Sequence, residues 1–322
     1  MKRIAGVIAS LVLVVLSTVA LTKDAVTEAP VTSPFDRPFW QHWGDGQAEM
    51  AGYDLSFPRY GETRKGTAVA IFVTEPFSNA QRVKADRGKH PRGDEFQVMK
   101  LNLVRDFNTG VYDYNLMTST FVALQANGDL QPGQTAKVSF SSQEWCGHVY
   151  QQLVFREDGI EQAIHSYFDG EGDQSRKLRV QSDGISEDAL FHWARGLAQP
   201  FLEPGKSVRR PLIRSLTTSR LQHVSVEWRD ATFTRGDKVA PISVAAGTFP
   251  AQVWSVAVDG GGQWSFWVEN QPPHRILRWR TGEGEEGSLI RSDRMPYWKM
   301  NGSQFEKSLP RLGLTPRPPR TP

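Results

Sequence analysis

The chain is nearly without cysteine: Cys146 is the only one in 322 residues. No disulfide can form within one copy, so packing and hydrogen bonding must hold the fold. The spacings that mark common metal sites, CxxC, HxxxH and HExxH, are also missing. The one run of consecutive glycines, Asp259-Gly260-Gly261-Gly262, joins two strand-like segments and opens no helix. A phosphate loop needs backbone N–H groups at a helix start, so nucleotide binding of that kind is excluded. No block of Lys and Arg occurs either. The formal charge is only +3, with Lys2 and Arg3 at the start and Arg317 and Arg320 in a proline-rich tail, which leaves the body close to neutral. Nucleic-acid binding depends on clustered cations facing phosphates, and that partner class is excluded. No internal repeat and no low-complexity tract interrupts the body.

What the chain does have is a long apolar opening and a body rich in strand signals. Residues 4–21, "IAGVIASLVLVVLSTVAL", follow Lys2 and Arg3, with small residues at Thr18 and Ala20. This is the order of a secretory signal peptide, with an uncleaved N-terminal anchor as the alternative, so residues 1–22 imply export to the periplasm or cell envelope. Membrane contact is then expected only through that segment. Residues 23–36 read as a flexible linker and 310–322 as a disordered Pro/Arg tail. A hydrophobic fraction of 39%, with ten Trp and seventeen Phe, is enough to build a core without disulfides.

Within the body, residues 68–75 form a short apolar, β-branched run. Residues 97–107 and 111–121 flank Asn108-Thr109-Gly110, a hairpin turn signal. Residues 136–142 and 145–156 read as a long strand with a break or bend near Ser141-Ser142. In the last third, residues 223–235, 249–258, 263–269, 275–281 and 287–292 each read as a strand, and their connections carry Gly, Pro, Asp or Glu, the pattern of an antiparallel meander. One helix is expected from Ser186, the N-cap, through Glu187 and Asp188 in the first turn to an apolar stripe at Leu190, Trp193, Ala194 and Leu197. The body thus divides into a β-rich half, 37–181, and a helix-plus-meander half, 182–309.

The order "GISEDALFHWARGLAQPFLEPGKSV", then "SRLQHVSVEWRDATF", then "AAGTFPAQVWSVAVDGGGQWSFWVENQPPHRILRWR" resembles a family of uncharacterised exported bacterial β-rich proteins related in fold to the periplasmic lipoprotein carriers. The features that carry the resemblance are Asp188–Leu197, Pro204-Gly205-Lys206, Ala246-Gly247, Gln263–Val268 and Pro273–Ile276, within residues 183–298. It implies a long, strongly curved antiparallel sheet, open or half-barrel, with at least one helix packed in its concave face and an apolar cleft between them. Such a cleft suits an apolar or lipid-like ligand and needs no cofactor. Phe191, Trp193, Trp254, Trp264, Phe266 and Trp279 are the residues expected near it.

A second kind of function rests on "SQEWCGH". On one continuous strand Glu144, Cys146 and His148 share a face, and an imidazole beside a thiol favours the nucleophilic thiolate. That reading is an envelope hydrolase or metal-dependent enzyme, in which His165 and Asp169 join Cys146 and His148 as metal ligands. Against it stands the ordinary role of a lone cysteine as a small strand residue. The loop Asp169-Gly170-Glu171-Gly172-Asp173 offers oxygen ligands without a calcium-loop pattern. His42, Asp45 and Glu49, beside two tryptophans, could form a sugar-cleaving carboxylate pair or simply an aromatic anchor. Charged residues inside apolar runs (Arg82, Lys84, Lys100, Arg105 with Asp106, Asp113) read for the most part as the wet face of a sheet, with a polar-lined cleft as the alternative for some of them. A structural surface protein that meets its partner through the Pro/Arg tail is the third possibility. The preferred expectation is a non-catalytic binding or carrier protein.

Overall fold

A computed structural model describes residues 35–316, residue 87 excepted. The expected signal segment, nearly all of the linker and the tail from residue 317 lie outside these residues. Fifteen strands form one sheet: β1 (Ala48–Arg59), β2 (Glu62–Ser78), β3 (Glu95–Thr109), β4 (Tyr112–Ala123), β5 (Thr135–Glu144), β6 (Gly147–Arg156), β7 (Gly159–Ser166), β8 (Gln174–Leu178), β9 (Ile185–Ser186), β10 (Ser207–Ile213), β11 (Trp228–Val244), β12 (Gly247–Val258), β13 (Gln263–Glu269), β14 (Ile276–Arg280) and β15 (Glu286–Met295). Three short helices accompany them, α1 (Arg37–Trp43), α2 (Leu190–Ala194) and α3 (Leu216–Gln222). The protein is mainly β, and its sheet is curved and open.

Two meanders, β1 to β8 and β9 to β15, are joined where β1 pairs antiparallel with β15, from Ala48 against Met295 to Ser56 against Glu286. Every other pairing links neighbours in sequence, all antiparallel except the two-residue match of β9 with β10. The two expected halves therefore share one sheet. They also share one core, which runs from Tyr53, Leu55 and Phe57 through Leu101, Phe140 and Leu153 to Phe233, Phe266, Trp279 and Leu289.

The turn chemistry worked as expected in kind, with local shifts. The 259–262 turn joins β12 to β13, with Gly260 at φ +64 in the left-handed region. Thr109 pairs with Tyr112, which leaves Gly110-Val111 as the turn between β3 and β4 in place of Asn108-Thr109-Gly110. The segment 136–156 is not one bent strand. Glu144 pairs with Gly147, so Trp145-Cys146 is a two-residue turn and the chain reverses there.

The expected helix is shorter and starts differently. Glu187–Ala189 make a 3-10 turn before the five residues of α2, and Ser186 caps nothing with its side chain. All five α2 residues are buried, so an apolar stripe on one face understates their packing. Phe191 packs on Trp264, Phe266 and Trp279, His192 on Phe72, and Trp193 on Phe233 and Trp254. These contacts reach strands of both meanders. The boundaries of the flexible ends also move. Phe35 is buried and Asp36 caps α1, its carboxylate accepting the Phe39 N–H at 3.0 Å. Pro310 to Leu312 close a 3-10 helix (Ser303–Leu312), and Leu312 is buried. A Cβ at Gly52 would lie 2.0 Å from the Leu312 carbonyl oxygen, so a glycine is needed for this docking.

Just beyond α2, Arg195 is tied to the other end of the sequence. Its guanidinium donates to both oxygens of Glu49 on β1 at 2.7 and 3.1 Å and to the carbonyls of Pro273 and His274. It also lies 4.4 Å over the Phe72 ring. Both charged groups are almost wholly buried, so removing one strands the other in a poorly solvating interior. Arg195→Met is expected to cost about 3–5 kcal/mol of stability, read as a lowered urea midpoint.

Candidate functional site

A cavity of about 500 Å³ lies at the end of the sheet where the β1–β2 hairpin turns. Its apolar walls are Phe57, Leu101, Leu103, Phe191 and Trp264, with Leu221 of α3 nearer the surface. Exposed residues at its mouth include Tyr60, Glu62, Gln222 and Glu283. The polar wall is made by buried groups from five separate stretches: Arg105 on β3, Thr118 and Thr120 on β4, Glu187 and Asp188 in the 3-10 turn, Thr217 and Thr218 on α3, and Glu285 after β14.

Alternation places Arg105 here. On β3, Leu101, Leu103, Arg105 and Phe107 face one side and are buried. Arg105 was expected on a wet face or, as the alternative, in a polar-lined cleft; the structure buries it at the cavity because its partners are supplied from afar. Nη1 donates to Glu285 Oε2 at 3.1 Å, and Nη2 donates to the Thr118 and Thr217 hydroxyls at 2.9 and 2.8 Å. Glu285 Oε1 accepts the Trp279 indole N–H at 3.2 Å. Arg82, also expected on a wet face, is fully buried against Asp129, at 2.9 Å to each carboxylate oxygen.

The acid pair is positioned by α3. Glu187 Oε2 accepts the Ser215 N–H at 2.8 Å, Glu187 Oε1 the Trp264 indole N–H at 2.9 Å, and Asp188 Oδ2 the Leu216 N–H at 3.0 Å. The side chains expected at the solvated first turn of one helix thus satisfy orphan N–H groups at the start of the next. Burial raises both carboxyls. Asp188 is pushed up from 3.8 to about 7, with the neighbouring Glu187 charge adding to the effect. Glu187 is raised as well, chiefly by burial and against the pull of the Ser215 N–H. Burial also lowers His192 to about 3. Its neutral ring meets the Met99 carbonyl through Nε2 at 3.2 Å, and Nδ1 has no partner among the described residues.

Of the expected ligand-contacting aromatics, Phe191 and Trp264 line this cavity. Phe266, Trp279 and Trp193 are fully buried in the core and are not among its lining residues, and Trp254 lines a separate 90 Å³ hollow beside Arg195. The expected chemistry of "SQEWCGH" does not assemble. The hairpin puts Glu144 opposite Gly147 and Gln143 opposite His148, so Glu144 and His148 fall on opposite faces, with Cys146 exposed in the turn. Glu144 is buried, accepts the Cys146 N–H at 2.7 Å and faces Arg220 at 3.9 Å. It holds the Cys146 thiol above its ordinary range, by hydrogen bond and by charge. That is the reverse of activation. His165 pairs with Asp173 at 3.0 Å on the exposed surface, and Asp169 is exposed in the next loop. Among the described residues no three His, Cys, Asp or Glu side chains gather as a metal site. Within the 169–173 loop, Glu171 turns to His223 and Ser166 while Asp173 turns to His165, so its carboxylates diverge. Asp45 is bound by Arg294 and Glu49 by Arg195, so each carboxylate is held by its own guanidinium.

Sequence reasoning named Arg105 only among several charges for a wet face or a polar-lined cleft, and missed Thr118, Thr120, Glu187, Asp188 and Glu285. For the strand residues a signal existed: Arg105 has the parity of Leu101 and Leu103, and Thr118 and Thr120 that of Leu116. For Glu187, Asp188 and Glu285 no local pattern marks burial.

A buried acid with a raised pKa destabilises the folded state as pH rises from its unfolded to its folded value, because the native state then holds the extra proton. For Asp188 that window runs from 3.8 to about 7. Asp188→Asn keeps an oxygen for the Leu216 N–H and removes the penalty. It should leave stability little changed at the acid end of the window and raise it above neutrality, by at most about 4 kcal/mol, in denaturation curves across pH. At the surface, Glu144→Gln should speed alkylation of Cys146 several-fold near pH 8, because the repelling charge is gone.

No family model and no curated protein matches this chain. Among solved structures it is similar to a beta-barrel-like protein of the domain of unknown function DUF1849 from Brucella abortus, at 12% identity and a TM-score of 0.46, over 77% of this chain and 98% of that one.

Proposed function

We propose that this is an exported, non-catalytic binding or carrier protein of the cell envelope. It takes an apolar or amphipathic ligand between the curved sheet and a short helix in its concavity. The observation that carries the reading is the cavity itself: about 500 Å³, open at one end, with Phe57, Leu101, Leu103, Phe191 and Trp264 on one wall and buried polar groups on another. That size and mixture match small-molecule sites, in which apolar walls supply affinity and a few polar groups set orientation. The apolar run at residues 4–21 supports export and so an envelope location. The alternative centred on Glu144, Cys146 and His148 is not favoured, because the hairpin separates these groups and Glu144 suppresses the thiolate.

Native mass spectrometry of the full-length protein tests the reading. A mass excess that extracts into organic solvent and disappears on denaturation is expected. Leu221→Trp, which enlarges a half-buried side chain at the cavity wall, should remove most of that excess while leaving the circular dichroism spectrum unchanged. An equal excess in the variant, or a bare protein mass after incubation with envelope lipid extract, would sink the proposal.

A further inference from the structure

The hydrogen-bond pattern of the inner wall discriminates among ligand head groups, and the inference drawn from it rests on the binding reading above. Among the buried lining residues Arg105 is the one cation, facing three carboxyl groups, Glu187, Asp188 and Glu285. Both terminal nitrogens of Arg105 are engaged by Glu285, Thr118 and Thr217. Both oxygens of Glu187 and both of Glu285 accept a hydrogen bond from the protein. Asp188 differs. Oδ2 accepts the Leu216 N–H, and Oδ1 accepts no hydrogen bond from any described residue, although the side chain is nine-tenths buried.

We propose that the cavity is a site for amphiphiles with a cationic head group, a primary ammonium in particular, set against Asp188. An ionised carboxylate is an acceptor only and an ammonium a donor only, so each supplies what the other lacks. Their attraction is strong where water is excluded. The hydrocarbon part then lies along Leu101, Leu103, Phe191 and Trp264. An anionic amphiphile meets three acids in the wall and a guanidinium whose two terminal nitrogens are engaged by Glu285, Thr118 and Thr217, with Nε its one nitrogen unpartnered among the described residues. Without ligand, Asp188 sits near its own titration point, with Glu187 beside it, Arg105 on β3, the Thr120 hydroxyl bonded to its backbone carbonyl from β4, and the Leu216 N–H of α3. An ammonium favours the ionised form, so binding displaces a proton and strengthens as pH rises through neutrality.

The test is titration of the full-length protein by isothermal calorimetry with three probes of equal chain length: octylammonium, octanol and octanoate. Octylammonium is expected to bind at least about tenfold more tightly than octanoate. Its affinity should increase from about pH 6 to about pH 8 while that of octanol stays constant. Asp188→Asn should weaken octylammonium by about tenfold or more relative to octanol. The pH dependence is measured on the unmodified protein and does not depend on the variant folding. Octanoate binding as well as octylammonium, or a flat pH profile, would overturn the head-group assignment. If octanol binds in the parent and not in Leu221→Trp while the ammonium gains nothing, the cavity reading stands and only the assignment falls. If none of the three binds, both fall together.

Discussion

The pairing of β1 with β15 is the constraint on which the remaining structure depends. Each meander forms from strands adjacent in sequence, where a short loop brings partners together at modest entropic cost. The β1–β15 match instead joins segments more than two hundred residues apart and turns two ribbons into one fifteen-stranded surface. Groups that belong to different meanders then become neighbours. The Tyr53 hydroxyl reaches the Ile276 carbonyl at 2.9 Å, Glu49 meets Arg195, and Arg105 meets Glu285. None of these contacts exists within one half of the chain. A topology with this many long-range contacts closes slowly, and without a disulfide only packing and the buried pairs keep it closed.

The cavity is a consequence of how that interior is filled. The segment from Ile185 to Gln222, which carries β9, α2, β10 and α3, holds Glu187, Asp188, Ser215 and Thr217 buried. Polar side chains hold a wall by hydrogen bonds at fixed directions. They cannot collapse to fill space as aliphatic ones do, because a buried hydrogen bond broken by collapse costs more than closer packing offsets. The Arg105–Glu285–Trp279 chain and the grip of Glu187 and Asp188 on the start of α3 therefore keep the space between them open. Apolar residues on the facing wall make it a place where hydrocarbon is stable and water is not.

Much of the strand pattern was legible in the sequence. Residues 263–269 coincide with β13, residues 249–258 lie within β12, and the glycines after Asp259 make the turn between them, because alternation and turn chemistry act over a few residues. Two failures are instructive. "SQEWCGH" reads as strand at each position, yet Trp145-Cys146 reverses the chain, and one reversal was enough to put Glu144 and His148 on opposite faces. Glu187 and Asp188 follow a capping-type serine and precede an apolar stripe, which is the pattern of a solvated helix start. Their burial depends on the backbone N–H groups of Ser215 and Leu216, residues with no sequence relation to them.

From its sequence alone this protein is a β-rich chain without an internal disulfide, common metal-binding motif, phosphate loop or basic tract, with an apolar run at residues 4–21 and enough aromatic residues for a large core. Those properties follow from composition and from preferences that act over a few neighbouring residues. Only the tertiary structure decided which strands meet, which face of Arg105 and Glu144 turns inward, and where the interior stays open. The cause is physical: a charged side chain can be buried only when its partners arrive, and here they arrive from strands and helices far along the chain.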